Sequence, residues 1–281
     1  MSESPTPIPQ ADTLWVTVAF ADRQLRLEYQ WLGRAHTNAP LMVFLHEGLG
    51  SVSMWRDFPA QLCQALGCRG LVYSRPGYGQ STPRQAHEDW ASDFMHRQAL
   101  EVLPALLNAL GVNEPVWLFG HSDGGSIALI AAAQHPRSVA GAVVMAPHIM
   151  VEEISRRTIA QAQEAYLHSG LRGKLARHHA DPDSAFWGWS RAWLDPAFEN
   201  WSLEAELAHI TCPLLAVQGL DDDYGTLAQI HGIAERAPQT ELLELADCGH
   251  SPHRDQAAAL TARVQAFYKR HAPPADTTQS Q

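Results

Sequence analysis

A glycine-flanked serine determines how we interpret the centre of this chain: Gly120-His121-Ser122-Asp123-Gly124-Gly125. The four residues before it, Val116-Trp117-Leu118-Phe119, form an apolar run typical of a buried strand, and Ile127–Ala133 after it has a helical pattern. A serine on a sharp strand-to-helix turn needs small residues two positions before and after it, because the turn presses backbone against backbone. Glycines occupy both positions, so the sequence predicts that Ser122 lies on such a turn as a candidate nucleophile.

Apolar runs alternate with helical patterns on both sides of this turn. Eight runs are expected to be strands: Leu14–Phe20, Leu25–Leu32, Leu41–Leu45, Leu71–Tyr73, Val116–Gly120, Val139–Met145, Leu214–Gln218 and Leu242–Leu245. Helices are expected at Met54–Ala65, Trp90–Leu110, Ser126–Gln134, Thr226–Arg236 and Ala257–Arg270. The first two strands read as a hairpin joined by residues 21–24. The alternation predicts an α/β fold, with a mostly parallel eight-stranded sheet and helices on both faces.

One long block interrupts the alternation. Residues 148–208 contain helical patterns but no strand-like run, and four tryptophans fall within residues 187–201. We interpret this block as a helical cap inserted over the carboxyl edge of the sheet. The core is then expected to comprise residues 13–147 and 209–271, with flexible polar tails at 1–12 and 272–281.

Two later segments supply partners for the serine. Asp221-Asp222-Asp223 follows one predicted strand, and His250 follows the next. A serine hydroxyl becomes a good nucleophile when a histidine accepts its proton, and a carboxylate orients that histidine and stabilises its charge. The order serine, aspartate, histidine is one known solution, although spacing alone leaves the choice among the three aspartates open.

The loop Leu45-His46-Glu47-Gly48-Leu49-Gly50-Ser51 directly follows another strand. A glycine-rich loop at this position can turn a backbone N–H toward the nucleophile and, with the N–H of Asp123, hold the oxyanion of a tetrahedral intermediate. Gly48 is the first candidate for this donor and Glu47 the second.

These segments, HEGLGS (46–51), SRPGYGQS (74–81), GHSDGG, GLDDD and GHSPH, resemble the α/β-hydrolase superfamily over residues 12–271. Within it, the chain is most similar to capped esterases, C–C hydrolases and proline iminopeptidases. The resemblance implies Ser122 as nucleophile, His250 as general base and Asp222 as the acid, since the family's acid usually lies three residues after the glycine that ends its strand. Serine at position 122 disfavours dehalogenase and epoxide hydrolase chemistry, which uses a carboxylate nucleophile.

Glu47 departs from the glycine that most relatives carry. A carboxylate aimed at a developing oxyanion would oppose it, so we expect Glu47 to point away, toward Arg75 as an ion pair, or to bind a cationic or hydroxyl part of the substrate. His148 and Trp187 are further candidates for substrate contact. His178, His179 and His253 are expected at the surface.

Composition excludes several other classes. The formal charge of −10 disfavours nucleic acid and anionic membrane surfaces as partners. The four cysteines show no metal-ligand spacing, so no metal or cofactor is expected. The N-terminus lacks the basic and apolar regions of a signal peptide, and no apolar run approaches the ~18 residues of a membrane span. We therefore expect a cytoplasmic protein, a monomer or homodimer, acting on a small molecule.

The predicted function is that of a serine hydrolase that cleaves a small-to-medium carboxylic ester through an acyl-enzyme. Alternatives are hydrolysis of a C–C bond in a ring-fission-type dicarbonyl, and removal of an N-terminal proline. A non-catalytic ligand-binding protein is a third alternative, from a different functional class.

Overall fold

The computed structural model describes residues 12–33, 38–85 and 88–272; of the predicted tails at 1–12 and 272–281, all but residues 12 and 272 lie outside this part. Eight strands form one sheet: β1 (Leu14–Phe20), β2 (Arg23–Leu32), β3 (Leu41–Leu45), β4 (Arg69–Tyr73), β5 (Val116–His121), β6 (Val139–Met145), β7 (Leu214–Gly219) and β8 (Thr240–Leu245). Their order is β1-β2-β4-β3-β5-β6-β7-β8. The β1/β2 and β2/β4 pairs are antiparallel and the others parallel, which confirms the predicted fold.

Helices connect the parallel strands. The α-helical segments are α1 (Phe58–Leu66), α2 (Phe94–Arg97), α3 (Leu103–Ala109), α4 (Asp123–Gln134), α5 (Glu153–His168), α6 (Leu171–Leu175), α7 (Pro182–Leu194), α8 (Glu204–Leu207), α9 (Ala228–Arg236), α10 (Pro252–Asp255) and α11 (Ala257–His271). A π-helical stretch, Gln98–Val102, joins α2 to α3, and 3-10 turns occupy Val52–Trp55 and Pro196–Phe198.

Several element boundaries differ from the sequence prediction by a few residues, and two of these differences concern turns. The β1–β2 turn is two residues long rather than four, because Ala21 adopts a φ of 52° and Phe20 pairs directly with Arg23. The helical stretch predicted from Trp90 begins only at Phe94. Both differences arise from local turn geometry, which apolar patterning does not report.

The central strands are buried on both faces. Leu41, Val43 and Leu45 of β3 pack into one apolar cluster with α4, whereas Met42 and Phe44 pack into the other with α1 and α11. This alternation follows from the twofold side-chain period of a strand. It explains why the β3 sequence is uniformly apolar.

Residues 148–208 form a helical insertion between β6 and β7, which are neighbours in the sheet. A bridge between Met150 and Ser202, together with a 2.7 Å hydrogen bond from Leu203 N–H to Ile149 O, closes its base. The insertion contains α5 to α8. Since parallel strands end at a common edge, the segments that follow β3, β5, β6, β7 and β8 meet there.

Candidate active site

Ser122 lies between β5 and α4 in a strained backbone conformation, with φ 54° and ψ −121°. Its N–H donates to Met145 O at 2.9 Å, which ties the turn to β6. A Cβ at Gly120 would overlap the Gly124 carbonyl, and a Cβ at Gly124 would overlap the Leu45 carbonyl. The glycines are therefore required by close backbone approach, as the sequence motif indicated.

The structure brings the three predicted triad residues into contact. Ser122 Oγ lies 2.9 Å from His250 Nε2, and His250 Nδ1 lies 2.9 Å from each Asp222 oxygen. All three side chains are largely buried. With Nδ1 donating to the carboxylate, Nε2 is the acceptor for the serine proton.

Two donors hold Asp222 in place. The Gln218 side-chain amide donates to Oδ2 at 2.6 Å, and the Tyr224 N–H donates to Oδ1 at 2.8 Å. Burial raises the pKa of Asp222, but the hydrogen bond and positive charge of His250 and the Tyr224 N–H lower it by more, so the pKa lies below its ordinary value. Asp221 and Asp223 are exposed, and the carboxylate hydrogen-bonded to His250 Nδ1 is that of Asp222.

The loop after β3 packs directly against the serine turn. The Glu47 carbonyl accepts a hydrogen bond from Arg75 Nη2 at 2.8 Å and from His46 Nδ1 at 2.7 Å. Because the peptide is planar and trans, fixing this carbonyl also fixes the Gly48 N–H, which points the opposite way. Asp123 is the first residue of α4, so its N–H has no acceptor within the helix.

The Glu47 carboxylate does not pair with Arg75, and that expectation was wrong. Its Oε2 lies 3.5 Å from His121 Nδ1 and its Oε1 4.0 Å from Arg254 Nη2, while Arg75 is occupied by the Glu47 backbone. Burial raises the pKa of Glu47, but His121 lowers it by more, so its pKa is far below the ordinary value. This placement favours a structural ion pair over contact with substrate.

The Asp123 carboxylate is buried beside the strand-to-helix turn that carries Ser122 (residues 120–125), which is called the elbow below. Its Oδ1 accepts a hydrogen bond from Trp193 Nε1 at 3.0 Å, and its Oδ2 lies 3.8 Å from Arg75 Nη2. Burial raises the pKa of Asp123, although the Arg75 charge and the Trp193 hydrogen bond oppose this effect.

His148 lies next to the candidate base. Its ring centroid is 6.0 Å from that of His250 and 4.9 Å from that of Trp193, and its Nε2–H donates to Tyr224 O at 3.1 Å. Burial and the nearby His250 lower the pKa of His148 to about 4, so the ring is neutral at pH 7. Its Nδ1 is buried without a hydrogen-bond partner in the described residues.

Trp187 does not lie at the elbow. It packs against Tyr166 and Phe186 and under Arg191, whereas Trp189 lies against the Gly48 backbone and Trp193 bonds to Asp123. Residues four apart share a helix face, and residues two apart point in nearly opposite directions. The structure thus places Trp189 and Trp193 beside Gly48 and Asp123, whereas a substrate contact by Trp187 stays a prediction.

Two histidines expected at the surface are buried. His179 is 3% exposed; its Nδ1 accepts a hydrogen bond from Gly79 N–H at 2.9 Å and its Nε2–H donates to Leu49 O at 2.9 Å. His253 is 6% exposed and packs against Trp55 and His121. Their partners come from distant parts of the chain, so local patterning could not reveal them.

Sequence reasoning also missed three residues that hold the site. Gln218 and Tyr224 donate hydrogen bonds to Asp222, and His121 donates one to the His250 carbonyl at 2.6 Å. Gln218 is the last residue but one of β7, three residues before Asp221, and an amide in a buried strand there was the one available signal.

The described part of the chain contains neither a cluster of metal-binding side chains nor a membrane-spanning helix. No group of three or more His, Cys, Asp or Glu side chains among those residues is arranged to hold a metal ion. None of the described helices is both long and apolar enough to cross a bilayer.

Comparisons with known proteins agree with this fold. A 102-residue stretch is 28% identical to protein phosphatase methylesterase 1 of Bos taurus, covering 36% of this chain and 26% of that protein. The chain thus matches about a quarter of the length of that methylesterase. The putative carbamate hydrolase RutD of Pseudomonas savastanoi pv. phaseolicola is 27% identical over 238 residues, which cover 77% of this chain and 88% of that protein.

Solved structures show the same architecture. A thermophilic esterase from Thermogutta terrifontis superposes with a TM-score of 0.68 at 19% sequence identity, covering 93% of this chain and 100% of that one. A family model described as the alpha/beta hydrolase family matches residues 42–264. Because that match extends from β3 into α11, the chain belongs to the alpha/beta hydrolase family.

Proposed function

We propose that the protein is a serine hydrolase that cleaves small-to-medium carboxylic esters. The observation that carries this proposal is the 2.9 Å contact between Ser122 Oγ and His250 Nε2, backed by Asp222 on Nδ1. His250 accepts the serine proton as Oγ attacks the carbonyl carbon, and Asp222 stabilises the imidazolium. His250 then gives the proton to the departing alcohol. Water activated by the same histidine hydrolyses the acyl-enzyme and releases the acid.

The oxyanion is assigned to two backbone N–H groups, those of Asp123 and Gly48. The Asp123 N–H belongs to the first turn of α4, where the partial positive charge of the helix favours an anion. The Gly48 N–H is favoured over that of Glu47 because Arg75 and His46 hold the preceding carbonyl in the opposite direction. Donors fixed in advance stabilise a developing charge without reorganisation.

Residues 148–208 are proposed to act as a cap over the core formed by residues 13–147 and 209–271. Support comes from Trp189 against Gly48 and from Trp193 bonded to Asp123, since both tryptophans reach the elbow from α7. Large aromatic rings at this place exclude water and provide apolar area for a substrate. His148, buried between Trp193 and His250, is proposed to contact the acyl part.

Ester chemistry is also the activity named for some similar proteins. One relative is a methylesterase, and one structural neighbour is an esterase. The buried carboxylate of Asp123 beside Ser122, together with the net charge of −10, disfavours a highly anionic substrate. An uncharged, small-to-medium ester fits these constraints.

A chain-length series of p-nitrophenyl esters tests the proposal. Wild type and Ser122→Ala are assayed in parallel, with Ser169→Ala as a control at an exposed serine. We expect turnover that peaks at short chains, is unchanged in the control and falls by about 10⁴-fold or more in Ser122→Ala.

Absence of turnover in wild type would contradict the esterase proposal. A 1,3-dicarbonyl substrate and an N-terminal proline peptide would then be assayed for the two alternative reactions. Failure of a serine-directed phosphonate to label Ser122 would point instead to a binding protein without catalysis.

A further inference from the structure

A second carboxylate–imidazole pair, formed by Glu47 and His121, lies behind the proposed triad. His121 directly precedes Ser122 and is 1% exposed. Its Nε2 lies 2.6 Å from the backbone carbonyl oxygen of His250, and its Nδ1 lies 3.5 Å from Glu47 Oε2. The pair therefore touches the loop that carries the candidate general base.

The two ring nitrogens of His121 differ in their contacts: Nε2 is hydrogen-bonded to the His250 carbonyl, whereas Nδ1 is buried without a hydrogen-bond partner in the described residues and lies 3.5 Å from Glu47 Oε2. A carbonyl oxygen offers only lone pairs, so Nε2 must carry a hydrogen to bond to His250. An unprotonated Nδ1 would point its own lone pair at the Glu47 carboxylate. An imidazolium carries a hydrogen on both nitrogens, so it donates to the His250 carbonyl and places positive charge 3.5 Å from the Glu47 carboxylate.

The charged surroundings favour this state. The pKa of Glu47 lies far below its ordinary value, so the carboxylate is ionised, and its Oε1 lies 4.0 Å from Arg254 Nη2, whose side chain is about half exposed. His253 packs 5.1 Å from the His121 ring, and burial lowers the pKa of His253 to about 3, so His253 is neutral and adds no positive charge that would oppose His121. His250 faces His121 at 5.2 Å between ring centroids.

We propose that Glu47 holds His121 as an imidazolium whose Nε2–H positions the backbone of His250. The proposal rests on the role of His250 as general base given above. The His250 residue then has two anchors, Asp222 on its ring and His121 on its carbonyl. A charged donor makes the second anchor stronger than a neutral one. His121 is thus a positioning residue, and the Glu47 carboxylate acts by keeping the His121 ring protonated.

Ring-nitrogen NMR tests the protonation state without using activity. In ¹⁵N-labelled wild-type protein at pH 7, both ring nitrogens of His121 are expected to carry protons, with the signals assigned by their loss in His121→Gln. Glu47→Gln keeps the size of the side chain but removes its charge, and it is expected to abolish the Nδ1 proton. An unprotonated Nδ1 in wild type would overturn the proposal.

Kinetics test the positioning. Glu47→Gln is expected to lower kcat about tenfold with KM within about twofold, because the change weakens an anchor of the base and leaves the binding surface intact. The matched control is Glu244→Gln, which removes a carboxylate 2.8 Å from the exposed His231 and is expected to leave kcat unchanged. Equal kcat values for the two variants would refute a positioning role.

The two proposals fail in different ways. Full turnover by Ser122→Ala would refute the serine mechanism, while the NMR spectrum would still report on Glu47 and His121. Loss of turnover in Ser122→Ala together with an unprotonated His121 Nδ1 would refute the second pair alone.

Discussion

Trp193 of the insertion donates its indole N–H to the carboxylate of Asp123 at 3.0 Å, and both side chains are buried. Asp123 directly follows Ser122, so this hydrogen bond joins the insertion to the residue after the nucleophile. A buried carboxylate that loses such a donor bears the full cost of its desolvation. This contact makes the insertion part of the site's architecture.

Trp193→Phe is therefore expected to destabilise the protein. The ring volume is largely kept, but Asp123 Oδ1 loses its donor, which lowers the free energy of unfolding by about 1–3 kcal/mol. Urea unfolding measures the effect. The control is Trp187→Phe, which alters a partly exposed ring near Arg191 and is expected to cost less than about 1 kcal/mol. Similar losses in the two variants would contradict the importance of the buried bond.

Replacing Asp222 by asparagine is expected to lower kcat by about 10³–10⁴-fold, because an amide neither stabilises the imidazolium nor fixes the tautomer of His250. Asp221→Asn and Asp223→Asn provide matched controls at exposed neighbours and should retain near-wild-type turnover. Steady-state kinetics with the p-nitrophenyl ester that wild type hydrolyses fastest measure these kcat values. A large loss in either control, with activity retained in Asp222→Asn, would reassign the acid.

Gly48→Ala is expected to impair the enzyme sharply. An added Cβ would overlap the Trp189 indole, so either the loop or α7 must move, and the proposed oxyanion donor moves with the loop. We expect kcat to fall by about 10²-fold or more. Gly173→Ala, in open space on α6, is the control and is expected to stabilise by about 0.5–1 kcal/mol. An unchanged kcat in Gly48→Ala would contradict the tight packing of the Gly48 loop against Trp189.

Acid is expected to destabilise the protein through His179. Burial lowers the pKa of His179 from 6.5 to about 4, despite its hydrogen bond to Leu49. The unfolded chain therefore binds this proton more tightly, so the stabilising contribution is complete above about pH 6.5 and is lost as the pH falls toward 4. Burial also lowers the pKa of His148 and of His253, so both residues likewise destabilise the folded protein as the pH falls.

Urea unfolding across that pH range measures the effect. The shift of His179 corresponds to at most about 3 kcal/mol, and His179→Gln is expected to show a correspondingly smaller loss of stability with acid. His168→Gln, at an exposed histidine, is the control and should follow wild type. An identical acid slope in His179→Gln and wild type would show that His179 does not carry the effect.

Much of the fold was predictable because its signals are local. The run Leu41–Leu45 is apolar at every position, as a strand covered on both faces requires, and Gly120 and Gly124 mark a turn that only small residues permit. The same locality places Ser122, Asp222 and His250 at the ends of strands. Their catalytic roles remain predictions until the variants above are measured.

The remaining features required the packed chain. Helical spacing could have paired Trp189 with Trp193, but nothing in the sequence said which face of α7 meets the elbow. The contact between His121 and His250 joins residues 129 positions apart. The burial of His179 likewise depends on Leu49 and Gly79, which lie far away in sequence.

The sequence by itself determined the strands, the strained serine turn and the order in which the candidate triad residues occur, because backbone sterics and side-chain periodicity act over a few residues. Only the tertiary structure decided that Glu47 faces His121 rather than Arg75, that Asp123 bonds to Trp193, and that Trp187 lies away from the site. Those outcomes depend on which side chains meet when distant segments pack, and on the free energy of burying charge there.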